Sequence, residues 1–153
     1  QDLYGEQYAN VMACSSRQLV EFIRWIQQQP FYENTTIVLV GDHLTMDSDF
    51  CANVSPEYKR GVLNIFVNAP VMAVNTKNRI ASTMDMFPTT IAALGGEIEG
   101  DRLGLGTNLF SGRPTLAEEL GMDQLNAEVR KNSLFYAGLA GGMEVDDSVM
   151  DMK

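Results

Sequence analysis

Apolar residues recur at helical spacing in the first part of the chain and then form short continuous runs. From about residue 8 to residue 29 they return every three or four positions, and Pro30 ends the pattern, which predicts an amphipathic helix. Branched aliphatic runs at 36–41 and 62–68 predict two strands, separated by a polar loop at 44–56. A helix followed by two apolar strands predicts an α/β class fold with a buried β-sheet flanked by helices.

Helix-start signals mark the second half of the chain. Ser82 and Asp85 have capping-box spacing and predict a helix that runs to Leu94, where two glycines follow. Pro88 lies inside this helix, so we expect a kink there. The glycine-rich run RLGLG at 102–106 lacks the lysine of a phosphate-binding loop and predicts a tight structural turn.

The same signals place two further helices near the end. Thr115 and Glu118 form a second capping box, and this short helix should end at Gly121. A last helix is predicted from residue 123 to about 136. Residues 141–153 form an acidic stretch that we expect to be a mobile tail.

Composition narrows the possible partners. The chain has 153 residues, of which 45% are hydrophobic, enough for a core, and its formal net charge is −9. That charge repels nucleic acid and anionic membranes and argues against both as partners. No apolar run approaches the roughly 20 residues of a membrane span, so the segment is expected to be soluble. Because the chain opens without methionine, we expect it to be a segment of a longer protein.

The strongest chemical signal is "IVLVGDH", in which Asp42 and His43 follow the first strand directly. His43 is the only histidine of the chain, and ligands of α/β sheets gather beyond the carboxyl ends of strands. A bend after Gly41 would let the carboxylate and the imidazole bind one divalent cation. This donor pair suits manganese or zinc better than calcium. The alternative is that both are ordinary polar residues at a strand end.

The two cysteines, Cys14 and Cys51, are too few for a disulfide-dense scaffold. If the first helix runs antiparallel to the first strand, its start lies level with the end of that strand. Both cysteines would then share one side of the sheet, and a disulfide would be geometrically possible. Free thiols are the favoured prediction.

Three motifs carry a family resemblance. The stretch "QLVEFIRWIQQQPFYENTTIVLVGDHLTM" resembles the metal-binding strand of the alkaline phosphatase superfamily. The stretches "DMFPTTIAALG" and "LGLGTNLFSG" are similar to the C-terminal part of its branch of phosphoglycerol transferases and lipoteichoic-acid synthases. The resemblance spans about residues 8–136. It implies that residues 1–140 are the C-terminal portion of an alkaline-phosphatase-like, or sulfatase-like, catalytic domain.

The resemblance also implies an activity. Asp42 and His43 match two ligands of one metal ion, Mn²⁺ or Mg²⁺, and the other ligands and the threonine or serine nucleophile are expected before Gln1. The parent enzyme would be membrane-anchored with its catalytic domain on the extracytoplasmic face. It would move glycerol phosphate from a phosphatidylglycerol-like lipid to a cell-envelope glycan through a covalent enzyme intermediate. This segment alone would be inactive, its partner would be the rest of the catalytic domain, and an uncovered sheet edge would favour self-association.

Three further side chains are candidates for substrate binding. Thr45 follows the metal pair closely. Lys59 and Arg60 lie in the loop after the metal-binding strand, where they are placed to contact a substrate phosphate. A solvated charge pair is the alternative for Lys59 and Arg60. Two other functions stay open: a phosphodiesterase or sulfatase of the same superfamily, and a non-catalytic binding module that reuses the fold.

Overall fold

The computed structural model describes residues 4–75, 77–133 and 137–138. Its helices and strands form a small mixed α/β arrangement in which short 3₁₀ turns (Tyr32–Asn34, Thr83–Asp85 and Glu99–Asp101) connect some elements. In chain order the elements are α1 (Gln7–Gln27), β1 (Ile37–Val40), β2 (Asn64–Val67), α2 (Met86–Ala93), β3 (Arg102–Leu103), β4 (Gly106–Thr107), α3 (Leu116–Leu120) and α4 (Met122–Val129).

The predicted strands form an antiparallel pair. Ile37 lies opposite Val67, and Val40 lies opposite Asn64. The prediction of a buried sheet is wrong for the described residues, because every residue of β1 and β2 is half-buried or exposed. Two strands expose both faces unless other elements cover them, and the long helix α1 itself buries no residue.

The buried core lies in the second half of the chain. Its apolar members come from α2, α3 and α4, and its polar members include several threonines and one carboxylate. The buried residues are Pro88, Ala92, Ala93, Ala117 and Leu125, together with Gly106, Asp85, Thr89, Thr107, Asn108 and Thr115. This core holds α2 against β4, and α3 against α4, and leaves β1 and β2 at its margin.

Both predicted capping boxes are confirmed. Ser82 and Asp85 bond reciprocally ahead of α2, and Thr115 and Glu118 do so at the start of α3. Pro88 lies near the start of α2 rather than inside a longer helix, because a 3₁₀ turn precedes α2 and Pro88 is only its third residue. An amide there would have no acceptor within the helix, so proline costs no hydrogen bond.

The remaining local predictions have mixed outcomes. The RLGLG run is a tight turn between β3 and β4, with Gly104 at φ 59°. The short helix α3 ends at Leu120, next to Gly121, as predicted, and α4 ends at Val129 rather than near residue 136. Residues 134–136 and the predicted acidic tail at 141–153 lie outside the described residues. In the described part of the chain, no helix combines the length and the apolar character needed to cross a membrane.

Candidate metal centre

Gly41 ends the pairing of β1 with β2. Its amide donates to the Leu63 carbonyl at 2.8 Å, which extends the ladder by one residue. A Cβ at Gly41 would lie 3.2 Å from the Cβ of Val62 and 3.3 Å from the Leu63 nitrogen. Glycine at this position therefore permits the close approach of the neighbouring chain, and the candidate pair leaves the sheet immediately afterwards.

Asp42 and His43 face each other at the end of β1. The His43 Nε2 lies 3.4 Å from Asp42 Oδ2, and the His43 amide donates to Asp42 Oδ1 at 2.8 Å. On the other side of the ring, Nδ1 lies 2.7 Å from the Leu44 carbonyl oxygen. A carbonyl only accepts, so this contact requires a proton on Nδ1 and leaves the lone pair of a neutral ring on Nε2, beside the carboxylate.

The separation of the two donor atoms suits a single cation. With bonds of about 2.0–2.1 Å, neighbouring donors on one ion lie about 3.0 Å apart in octahedral geometry and about 3.4 Å apart in tetrahedral geometry. The distance of 3.4 Å between Nε2 and Oδ2 matches the tetrahedral spacing and is about 0.4 Å longer than the octahedral spacing, so an octahedral ion would draw the two donor atoms closer together. An ion pair with a protonated imidazole has the same spacing. Among the described residues, no cluster of three or more His, Cys, Asp or Glu side chains is arranged to hold a metal.

The electrostatics keep Asp42 ready to bind a cation. The hydrogen bond from the His43 amide lowers the pKa of the Asp42 carboxyl, and the positive charge of the His43 ring in its protonated form lowers it further. The side chains of Asp42 and His43 are 87% and 60% exposed, so both are accessible to an ion from solution.

A groove of about 330 Å³ lies beside the pair. Three of the predicted site residues line it: His43, Thr45 and Arg60. The side chain of Asp42 stands outside the lining. Lys59 is exposed and also lies outside the lining, so the structure brings Arg60 but not Lys59 to the groove.

Arg60 is held at the wall of this groove by two contacts. Its Nη1 donates to Cys51 Sγ at 3.0 Å and to the Thr45 carbonyl at 3.4 Å. Cys51 carries a free thiol, as does Cys14 on the exposed side of α1, so the favoured prediction of free thiols is confirmed.

Sequence reasoning did not identify Tyr8 as a residue of the groove. Tyr8, which the pattern marked only as part of the apolar face of α1, donates from its hydroxyl to Thr45 Oγ1 at 2.8 Å. This contact confirms that the start of α1 lies level with the end of β1. The expected antiparallel arrangement of α1 and β1 predicted that these two regions are close, although it did not identify Tyr8 as the contacting residue.

Comparison with known proteins gives a distant similarity to phosphoglycerol transferases. The chain is 29% identical over 107 residues to phosphoglycerol transferase I of Citrobacter koseri, covering 70% of this chain and 14% of that protein. For the proteins of the same name from Salmonella choleraesuis and Xanthomonas euvesicatoria, the identities are 29% over 108 residues and 28% over 116 residues. Those alignments also cover 70% of this chain, but only 14% and 16% of the relatives.

Two other comparisons found no counterpart: no protein-family model matches the chain, and no solved structure matches it. The similarity to phosphoglycerol transferase I suggests the sulfatase-like group of the alkaline phosphatase superfamily. The chain spans about one seventh of the length of the curated relatives that it matches.

Proposed function

We propose that this chain is part of a metal-dependent phosphoglycerol transferase in which Asp42 and His43 supply two ligands of one Mn²⁺ or Mg²⁺ ion. The observation that carries the proposal is the 3.4 Å spacing between His43 Nε2 and Asp42 Oδ2, with the opposite ring nitrogen directed at a carbonyl. The distant similarity to phosphoglycerol transferase I supports the reaction class.

The chain's own residues have distinct tasks in this proposal. His43 presents the lone pair of Nε2, and Asp42 presents an ionised carboxylate. The Arg60 guanidinium on the groove wall attracts the substrate phosphate. Lys59 adds positive charge in solvent near that wall. The metal, when bound, lowers the pKa of a coordinated hydroxyl and offsets phosphate charge.

The rest of the active site lies outside these 153 residues in this proposal. A nucleophilic threonine or serine and a further acidic ligand would come from the preceding part of a longer enzyme. The nucleophile oxygen attacks the phosphorus of a phosphatidylglycerol-like donor, diacylglycerol leaves with a proton, and glycerol phosphate stays bound to the enzyme. A hydroxyl of a cell-envelope glycan then loses its proton and takes the glycerol phosphate, which restores the free nucleophile. We propose the extracytoplasmic face of the cell membrane as the location of this reaction, because a cell-envelope glycan is accessible from that side.

Substitutions in the longer enzyme test the proposal. With phosphatidylglycerol labelled in its headgroup, cell-envelope glycans as acceptor and Mn²⁺, we expect Asp42→Ala or His43→Ala to reduce label transfer about a hundredfold or more. Lys59→Ala should cost less than about threefold, because an exposed charge contributes little. Asp123→Ala, an exposed acid on α4, is the matched control and should have no effect.

Two results would contradict this assignment. Near-normal metal-dependent transfer with both Asp42 and His43 replaced by alanine would show that the pair merely ends a strand. Label released into water in preference to the glycan would identify a hydrolase of the same superfamily instead of a transferase.

The isolated chain should not turn over substrate. An in-line displacement needs an activated nucleophile, which the proposal places outside this segment. We expect purified chain with Mn²⁺ and labelled phosphatidylglycerol to release no more label than Mn²⁺ alone. Turnover above that blank would show that the catalytic parts have been assigned wrongly.

A further inference from the structure

Tyr8 connects helix α1 to the loop that follows the candidate metal pair. Its hydroxyl donates to Thr45 Oγ1 at 2.8 Å, across 37 positions of sequence. Its ring packs against Phe50, with centroids 4.7 Å apart and ring planes inclined by 56°. One side chain at the start of α1 therefore contacts both ends of the loop segment at 45–50.

Several contacts converge on Thr45. Its Oγ1 accepts the Tyr8 hydroxyl and also the Asp47 amide at 3.3 Å, and its carbonyl accepts from Arg60 at 3.4 Å. Thr45 is half-buried, whereas Met46 beside it is 87% exposed. These contacts fix the backbone of Thr45 in an otherwise exposed loop.

A single peptide group connects the fixed backbone of Thr45 to the carbonyl that His43 contacts. The Leu44 carbonyl and the Thr45 nitrogen belong to the same planar unit, so holding Thr45 orients that carbonyl. The carbonyl accepts from His43 Nδ1 at 2.7 Å, and the opposite nitrogen, Nε2, then faces Asp42 Oδ2 at 3.4 Å. A partner on one imidazole nitrogen sets the tautomer and the orientation of a metal-binding histidine.

We propose that Tyr8 is a positioning residue for His43: its hydrogen bond to Thr45 holds the Leu44 carbonyl that orients the imidazole toward a divalent cation. This inference rests on the proposed metal-binding role of Asp42 and His43. Tyr8 itself touches neither the metal nor the substrate, and it acts through the loop.

Tyr8→Phe tests the inference, because it keeps the ring against Phe50 and removes only the hydroxyl. Since His43 is the only histidine, its ring signals in an NMR spectrum of the full chain with labelled histidine are unambiguous. We expect Tyr8→Phe to shift these signals without metal. In a titration with Mn²⁺ alone, half-broadening of the signals should need about three- to tenfold more Mn²⁺ than in the wild type.

Two further variants make the result specific. Thr45→Val removes the acceptor and should reproduce both changes, and the double variant should add little to either single one. Tyr32→Phe makes the same chemical change in a residue whose backbone carbonyl accepts from Asn68, and it should leave His43 unchanged. A general loss of stability would lower the melting temperature but would not move the ring signals of the folded protein.

The outcomes separate the two proposals. Unchanged ring signals and an unchanged Mn²⁺ midpoint in Tyr8→Phe would overturn the positioning role, even where Mn²⁺ broadens His43 in the wild type. If, in a uniformly labelled wild-type sample, Mn²⁺ fails to broaden the His43 ring signals before it broadens the amides of exposed acids such as Asp123, the proposed metal pair fails. The metal-free ring shift would still decide whether Tyr8 orients His43.

Discussion

Glu118 joins two parts of the chain that lie far apart in sequence. Arg79 donates to both of its carboxylate oxygens, at 2.8 and 3.0 Å, and the amides of Thr115 and Ile80 donate at 2.8 and 3.1 Å. The hydrogen bonds from Arg79 are the main cause that lowers the pKa of Glu118 to about 2, although partial burial opposes the shift. The Glu118 side chain is 21% exposed and that of Arg79 is 12% exposed.

This carboxylate makes part of the stability depend on pH. Because its pKa is lower in the folded than in the unfolded chain, its contribution is complete above about pH 4.5 and is lost as the pH falls toward 2. We expect Glu118→Gln to lower the free energy of unfolding by about 1–2 kcal/mol at pH 7, after allowance for solvent screening. Urea unfolding at several pH values measures this difference, which should shrink below pH 4.5.

Glu128 is the matched control for Glu118. It pairs with Lys131 in exposed positions, so Glu128→Gln should change the free energy of unfolding by less than about 0.5 kcal/mol. An equal loss for Glu118→Gln at pH 2 and at pH 7 would contradict an ionic role for Glu118.

Single residues also show how far sequence reasoning reached. The strand-end position of Asp42 and His43 and the capping role of Asp85 could be predicted, because each depends on neighbours within a few positions. The second role of Asp85, in which its Oδ1 accepts the Thr107 amide at 2.7 Å, depends on a partner 22 residues away. The hydrogen bond of Tyr8 to Thr45 escaped prediction for the same reason.

At the scale of elements, periodicity predicted α1 and both strands to within about two residues at each end. It could not predict how much of each element is buried, since that depends on what covers it. Continuous apolar runs suggested a buried sheet, yet β1 and β2 form an antiparallel pair whose residues are only half-buried or exposed. The position of Pro88 near the start of α2 could not be predicted either, because it depends on where the α-helix begins after the 3₁₀ turn.

The packing of β4 against the start of α2 leads to a prediction at Gly106. A Cβ there would lie 2.0 Å from the carbonyl oxygen of Met84 and 2.7 Å from its carbonyl carbon. Backbone atoms cannot rotate away as a side chain can, so Gly106→Ala must separate β4 from the turn before α2. We expect a loss of about 2 kcal/mol or more in the free energy of unfolding, measured with urea.

Gly61→Ala is the control, because a Cβ at Gly61 would meet no atom within 4 Å. It should change the free energy of unfolding by less than about 0.5 kcal/mol. A similar small effect for Gly106→Ala would show that β4 approaches α2 less closely than the structure indicates.

For the whole molecule, the uneven distribution of burial is the dominant feature. The buried core belongs to α2, β4, α3 and α4, whereas α1 and the β1–β2 pair present many apolar side chains to solvent. On α1, Phe22 and Trp25 are 56% and 52% exposed and stack with their ring centroids 5.9 Å apart. Each strand of the first sheet is also paired along one edge only within the described residues.

Such a surface predicts that the chain self-associates. Contiguous apolar area and unpaired strand edges both gain free energy when a second copy covers them, and a net charge of −9 opposes close approach at low salt. We expect the mean mass from sedimentation to rise above 16.9 kDa with concentration, more strongly at high salt.

Phe22→Lys should restore the monomer, because it puts a charge among the exposed apolar side chains of α1. Met72→Lys is the control, since Met72 is 92% exposed but belongs to neither α1 nor the β1–β2 pair, and it should associate like the wild type. A mass of 16.9 kDa at every concentration and salt would show that these apolar surfaces do not associate with one another.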